Sequence, residues 1–202
     1  MPIEKGGNVL TSRFDRALVY AHEAHRDQIR KSSAIPYVSH LLAVASLVLE
    51  DGGDEDEAIA ALLHDSVEDQ GGTDRLEDVR AKFGRRVAAI VDSCSDTVVQ
   101  PKPPWRSRRE LYLMHLRDAD TLVLRVSAAD KLHNLRCILT DWKRIGDRFW
   151  ERFSAKKEEQ LWYYAELVKI FQTRGSSGFI VDELGLCVTL LRQIVQADSE
   201  IS

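Results

Sequence analysis

Residues 60–72 read AALLHDSVEDQGG, and His64, Asp65, Glu68 and Asp69 fall within six consecutive positions straight after an apolar run. One imidazole and three carboxylates packed this closely offer ligands for a divalent cation, or acid–base groups for a bound water. No Lys or Arg lies between Asp51 and Gly72 to balance them. Acidic side chains are favoured at helix starts, yet this cluster sits at the far end of the helical pattern. A bound cation is therefore the first candidate for the missing positive charge.

Two distant residues extend the set. His40 stands at the start of a helical pattern, and Asp130 follows the apolar VLRVSAA in AADKLHN. A lone carboxylate in apolar surroundings is very costly unless it is paired or binds a metal. Two imidazoles and two carboxylates form a hard-to-borderline N/O set, suited to Mn²⁺, Fe²⁺ or Zn²⁺ rather than copper or an iron–sulfur cluster. Glu68 is four residues after His64 and Asp69 four after Asp65, so each pair shares a face of a continuous helix. That leaves Glu68 and Asp69 free to orient or deprotonate a water, or to protonate a leaving group. Asn134, four after Asp130, could bind a ligand beside the metal. Each residue alone has a plainer reading: His40 as an ordinary helix start, the acidic cluster as a solvated helix end, Asp130 as a partner of Arg125 or Lys131. The combination is harder to explain that way.

The elements that must position these residues are helical. The spacing predicts a helix over 12–30, capped by Thr11 or Ser12, with Phe14, Ala17, Leu18, Ala21 and His25 along one side. Pro36 keeps Ile35 extended, and Ser39 caps a second helix from His40 to the Gly52-Gly53 pair. A third helix, about 55–68, carries the nearly continuous apolar run IAALLH and should be central and buried. Shorter helices follow over about 73–83 and 86–95. The prolines of QPKPPW exclude helix in that loop. Helices resume over 107–119, from about 122, over 156–174 and over 178–196. The stretch LVLRV could be a strand, but no second strand pattern exists to pair with it. The class is all-α in one domain spanning 1–202, with no internal repeat and no low-complexity linker.

Composition bounds the rest. The 202 residues are 44% hydrophobic and 30% charged, with a net charge of −4. These are ordinary values for a globular protein with a core large enough to stand without staples. Cys94, Cys137 and Cys187 lack CxxC spacing and are read as small buried hydrophobes in a reducing compartment. There is no apolar signal region and no membrane-length run, so a cytoplasmic location is expected. The acidic balance argues against nucleic-acid wrapping and leaves room for local basic patches.

The pattern H…HD…D resembles that of HD-domain metal-dependent phosphohydrolases. The resemblance is closer to the hydrolase domain of RelA/SpoT-type alarmone enzymes. It rests on AHRDQIRKSSAIPYVSHLLAVA, ALLHDSVEDQGGT, KFGRRVAAIVDSCSD, AADKLHNLR and WYYAEL, in consistent order over roughly residues 12–170. Several motifs together are far more specific than HD alone. At this length the chain resembles a stand-alone small alarmone hydrolase, with a C-terminal helical extension over 174–202 outside the matched region.

The resemblance implies an HD-domain helical bundle and Mn²⁺-dependent removal of the 3′-pyrophosphate of ppGpp or pppGpp, with Fe²⁺, Zn²⁺ or Mg²⁺ as substitutes. By motif, His40, His64, Asp65 and Asp130 would hold the metal, and Glu68 and Asp69 would be the catalytic carboxylates. Arg30 and Lys31 would lie against the nucleotide, the planar guanidinium over the base. Asn134 and Tyr164 match residues at the ribose and phosphate end, and Lys102 matches a phosphate-contacting lysine. His25 matches a first-helix histidine that is not a ligand. The implied partner is a small nucleotide, with no nucleic acid or membrane and with room for a homo-oligomer.

Some departures bear on substrate choice. The loop RKSSAIPY is one residue longer than the family's and lacks its glycine, AAD replaces LAD, and no threonine follows ED. Trp105 in the stiff PKPPW loop could stack on a base or simply pack. These leave open an adenine analogue such as ppApp, the 2′-phosphate of NADPH, or a nucleoside monophosphate as substrate. A non-catalytic nucleotide-binding module is the reading from a different class. An intact Glu68 and Asp69 argue for an enzyme.

Overall fold

The computed structural model describes residues 9–31, 34–95, 103–175 and 178–199. It divides into two compact units, Met1–Ser95 and Asp96–Ser202. Both are helical. Among the described residues the extended pairing is limited to an isolated antiparallel bridge between Ile29 and Pro36. No helix among them is long and apolar enough to cross a membrane.

The first unit holds α1 (Ser12–Ala24), α2 (Val38–Glu50), α3 (Glu55–Leu63), α4 (Ser66–Gln70), α5 (Gly72–Phe83) and α6 (Arg85–Cys94). Helix α3 is its centre and packs against α1, α2 and α6. The expectation of a central helix holds, for every side chain from Ala58 to Leu63 is fully buried. With no polar face to spare, α3 takes its solubility from its ends. Asp54 caps it, accepting from the Glu57 N–H while Glu57 reaches back to the Asp54 N–H, a reciprocal capping box.

Arg13 of α1 grips the same helix end. Its guanidinium reaches Glu55 at 3.2 Å and Asp56 at 2.7 Å, and donates to the Phe83 carbonyl at 2.8 Å. Arg86 pairs with Asp54 at 2.7 Å. The acidic start of α3 is thus balanced by two arginines and by the helix dipole. Partial burial opposes ionisation of Asp54, but the Glu57 N–H and Arg86 outweigh it and hold the carboxyl below its usual range.

At Gly84 the chain leaves α5 and enters α6 through a single residue with φ of +97°. Only glycine takes that conformation without strain.

Two predicted boundaries move. The first helix ends at Ala24 rather than near residue 30. His25 closes it, and residues 28–30 instead pair with residues 35–37 in a return loop, with Arg30 N–H donating to the Ile35 carbonyl and Tyr37 N–H to the Gln28 carbonyl, both at 2.9 Å. This pairing competes successfully with another turn and a half of helix. The second helix begins at Val38, with Tyr37 rather than Ser39 in the cap position.

The second unit holds α7 (Trp105–Leu116), α8 (Thr121–Ile145), a 3-10 helix (Gly146–Arg152), α9 (Lys157–Thr173) and α10 (Phe179–Ser199). The LVLRV stretch is helical, inside α8. Helices α8, α9 and α10 pack on one another, and α7 packs on α9. Their core is built from Leu116, Leu124, Leu132, Leu135, Leu167, Phe171, Leu184 and Leu191. In α7, Tyr112, Leu113 and Leu116 are buried, and the Tyr112 hydroxyl donates to Ser127 at 3.0 Å.

Candidate metal centre

The third predicted helix is interrupted at the residues that matter. Helix α3 stops at Leu63, His64 and Asp65 form the junction, and α4 begins at Ser66. The side chains of the junction take up carbonyls at the helix end. The His64 ring nitrogen Nδ1 lies 2.8 Å from the Ala61 carbonyl, and the Ser66 hydroxyl donates to the Leu63 carbonyl at 2.6 Å. The i, i+4 pairing of His64 with Glu68, and of Asp65 with Asp69, was counted along a continuous helix. The break at the junction removes that basis.

The contact with a carbonyl assigns the His64 tautomer. A carbonyl only accepts, so Nδ1 carries the proton and the neutral ring presents its Nε2 lone pair on the other side. That Nε2 faces Asp65 Oδ2 at 3.1 Å, and His40 Nε2 lies 3.5 Å from the same oxygen. A lone pair against a carboxylate is unfavourable unless a cation, either a proton or a metal ion, lies between them. One ligand atom from each of His40, His64 and Asp65 falls within 4.8 Å of the others. Both histidines are buried and Asp65 is partly exposed. Two imidazoles, that of His64 oriented by a carbonyl, and one carboxylate fit a divalent transition metal.

The return loop supplies a further group. Tyr37 donates its hydroxyl to Asp65 Oδ2 at 2.6 Å. Its ring stacks on His25 at 5.1 Å and meets the edge of His40 at 5.6 Å, and the Arg30 guanidinium lies over it at 5.5 Å. His25 is buried and contacts Gln28 at 2.6 Å, which suits the packing role. Lys31 is exposed. Glu68 lies half-buried in α4. The backbone of Asp69 follows in α4, but its side chain, like the whole of Lys102, lies outside the described residues.

The structure therefore gathers His40, His64 and Asp65, with Arg30 one ring away across Tyr37. Sequence reasoning quoted Tyr37 within PYVSH but gave it no role. A tyrosine three residues before a helix-start histidine was the available signal.

In the second unit Asp130 is buried on α8, 2.5 Å from Lys131 and bonded by the Asn134 amide. The pairing with Lys131 is one of the plainer readings set out above. Burial works against the Lys131 charge, but Asp130 outweighs it and holds the ammonium well above its usual range. Lys131 also lies 4.8 Å from the Tyr112 ring centroid. Tyr164 is buried on α9, and burial pushes its phenol far up, so it is a neutral hydrogen-bonding group at any working pH. Trp105 packs, edge-on to Tyr163 at 5.9 Å, and the Arg109 guanidinium lies 4.9 Å from the same Tyr163 ring.

An all-helical chain with paired imidazoles and an Asp at a helix break has the character of an HD-type metal site, and the family comparison agrees. A model of the HD domain matches residues 17–171, and the chain belongs to that family. Within it, the chain is 34% identical over 168 residues to the guanosine-3′,5′-bis(diphosphate) 3′-pyrophosphohydrolase MESH1 of Xenopus tropicalis, covering 82% of this chain and 87% of that one. It is also 33% identical over 132 residues to the bifunctional (p)ppGpp synthase/hydrolase SpoT of Escherichia coli K12, but there it covers 62% of this chain and only 18% of the relative. Among solved structures it is similar to a metazoan orthologue of SpoT described as hydrolysing ppGpp, with a TM-score of 0.74, 25% identity and coverage of 90% and 97% of the two chains.

Proposed function

We propose that this chain is a metal-dependent hydrolase that removes the 3′-pyrophosphate of guanosine alarmones, converting ppGpp to GDP and pppGpp to GTP. The observation that carries the reading is the His40, His64 and Asp65 cluster, in a chain that matches a named 3′-pyrophosphohydrolase over most of both lengths. Mn²⁺ is the proposed ion, in keeping with a mixed imidazole and carboxylate set, and Fe²⁺, Zn²⁺ or Mg²⁺ are the proposed substitutes. A cytoplasmic enzyme acting on a small nucleotide is the corresponding biological setting.

When bound, the metal supplies Lewis acidity at a phosphate oxygen and lowers the pKa of a coordinated water. The chain's own residues do the rest. His64 keeps its Nδ1 proton on the Ala61 carbonyl, so its Nε2 stays a ligand atom rather than an acid. Asp130 is proposed as a further ligand on the strength of its burial and of the Asn134 amide that orients it. Glu68 and Asp69 are proposed to accept the proton of the attacking water and return one to the leaving pyrophosphate.

Arg30 is proposed to cover the base. Its guanidinium lies 5.5 Å from the Tyr37 ring centroid, and a planar cation is suited to stacking on a base. Lys31 and Lys102 are proposed to meet the phosphates, and Asn134 and Tyr164 the ribose and phosphate end. The buried Tyr164 phenol is suited to donate a hydrogen bond without adding charge.

The test is hydrolysis with Mn²⁺ on ppGpp, ppApp, NADPH and a generic phosphomonoester in parallel, with pyrophosphate and phosphate assayed separately. Pyrophosphate from ppGpp in preference to ppApp is the expected result. Phosphate from NADPH or from the monoester alone would overturn the alarmone reading and the roles given to Arg30 and Lys31.

A further inference from the structure

We infer that Tyr37 is a positioning residue for the metal centre, its hydroxyl fixing the orientation of the Asp65 carboxylate. This rests on the reading of His40, His64 and Asp65 as metal ligands.

The need for such a group follows from where Asp65 stands. An aspartate at the start of a helix ordinarily spends its carboxylate on the N–H groups of the first turn. Asp65 occupies the cap position of α4 and makes no side-chain cap hydrogen bond. Its terminal torsion is of the broad, two-fold kind, which leaves the plane of a carboxylate poorly defined by rotamer preference alone. The side chain also retains 22% exposure.

Tyr37 meets that need from a fixed base. Its hydroxyl lies 2.6 Å from Asp65 Oδ2, within the range of a charge-assisted O–H···O⁻ bond. The ring is held on several sides. It lies nearly parallel to His25, with an interplanar angle of 17°, it meets His40 edge-on, and it lies under the Arg30 guanidinium. Its backbone N–H is bonded to the Gln28 carbonyl. Tyr37 is thus tied to the end of α1, to the return loop and to the first turn of α2, and it passes that position to Asp65 through one bond. A carboxylate oxygen has two lone-pair sites, so Oδ2 can accept from the tyrosine with one and face the two imidazole Nε2 atoms with the other. Groups that orient a ligand in this way typically change metal affinity by about 10–100-fold when removed.

The experiment titrates metal-free wild-type protein and Tyr37→Phe with Mn²⁺, following free Mn²⁺ by electron paramagnetic resonance. Thermal unfolding of both metal-free proteins is measured in parallel. Phenylalanine keeps the ring on His25 and under Arg30 and deletes only the hydroxyl. The expected result is a dissociation constant raised by about 10–100-fold, an unfolding midpoint within a few degrees of wild type, and a KM for ppGpp at saturating Mn²⁺ that is little changed. Equal Mn²⁺ affinity in the two proteins would overturn the inference. So would weakened affinity accompanied by a large loss of metal-free stability, which would mark a general loosening of the loop. If wild type itself bound no Mn²⁺, the metal reading would fall and the inference with it, an outcome distinct from equal binding in both.

Discussion

His64 divides its two ring nitrogens between two neighbours, Nδ1 on the Ala61 carbonyl and Nε2 toward Asp65. That division makes single substitutions informative. In His64→Ala and Asp65→Ala, bound metal and pyrophosphate release should disappear together, as measured by metal analysis of the purified proteins beside the activity assay. Glu68→Gln should separate the two. It should keep the metal and lose about 10²–10⁴-fold in kcat, the usual contribution of a positioned acid–base group. Retained turnover in Glu68→Gln would remove that residue from the chemistry. At this scale the grouping of His40, His64 and Asp65 was legible in the sequence, from the HD pair in a stretch, 51–72, that holds no lysine or arginine, and from the helix-start histidine before it. Tyr37 was not, since its role depends on a loop that returns it beside Asp65, and the bonds of Arg30 and Tyr37 to Ile35 and Gln28 have no periodic signature. The Lys131 partner of Asp130 was legible only as one of two neighbours.

At the scale of the element, α3 carries acidic groups at its start and the proposed metal site just past its end. At the start Asp54, Glu55 and Asp56 are met by Arg13 and Arg86. Asp54→Ala removes the cap and should cost about 1 kcal/mol of stability, measured by denaturant unfolding. The sign of the pH effect follows from the lowered carboxyl. Asp54 stabilises the fold above its ordinary value of 3.8, and that contribution is lost as the pH falls through the depressed folded value. Asp54→Asn should therefore lower stability near neutrality and flatten the acid limb of the stability profile.

At the other end, Ser66→Ala leaves the Leu63 carbonyl without its hydroxyl in a fully buried position and should cost about 1–3 kcal/mol. The buried α3 was legible from IAALL. The break after it was not, because the apolar run ends without glycine or proline, and the side-chain bonds of His64 and Ser66 that stabilise the junction leave no mark in hydrophobic periodicity. The early end of α1 escaped for a related reason: residues 25–30 are compatible with helix, and the loop pairing prevails only through contacts with residues 35–37.

For the molecule as a whole, the leading question is how a chain of net charge −4 receives a substrate carrying two diphosphates. The proposed answer is a local one, with Arg30, Lys31 and Lys102 supplying positive potential where the overall field is weakly negative. Lys31 is exposed, so its effect should be strongly screened. Lys31→Ala should raise KM for ppGpp severalfold at low ionic strength and much less at high salt, with kcat little changed, as read from initial rates across a salt series. The all-α class was legible at this scale, since no second strand pattern competes with helical spacing. Substrate choice was less so, because an extra residue and a missing glycine in RKSSAIPY carry no periodic signal from which a base preference can be read.

The central claim is that the His40, His64 and Asp65 cluster serves removal of a 3′-pyrophosphate. Its most direct test is the product balance of ppGpp hydrolysis by wild type and Asp65→Ala, with added Mn²⁺ and with a chelator. The account predicts one pyrophosphate released per GDP formed by wild type, abolished by the chelator and absent in Asp65→Ala. Release of single phosphates, or turnover that survives both the chelator and the substitution, would contradict it.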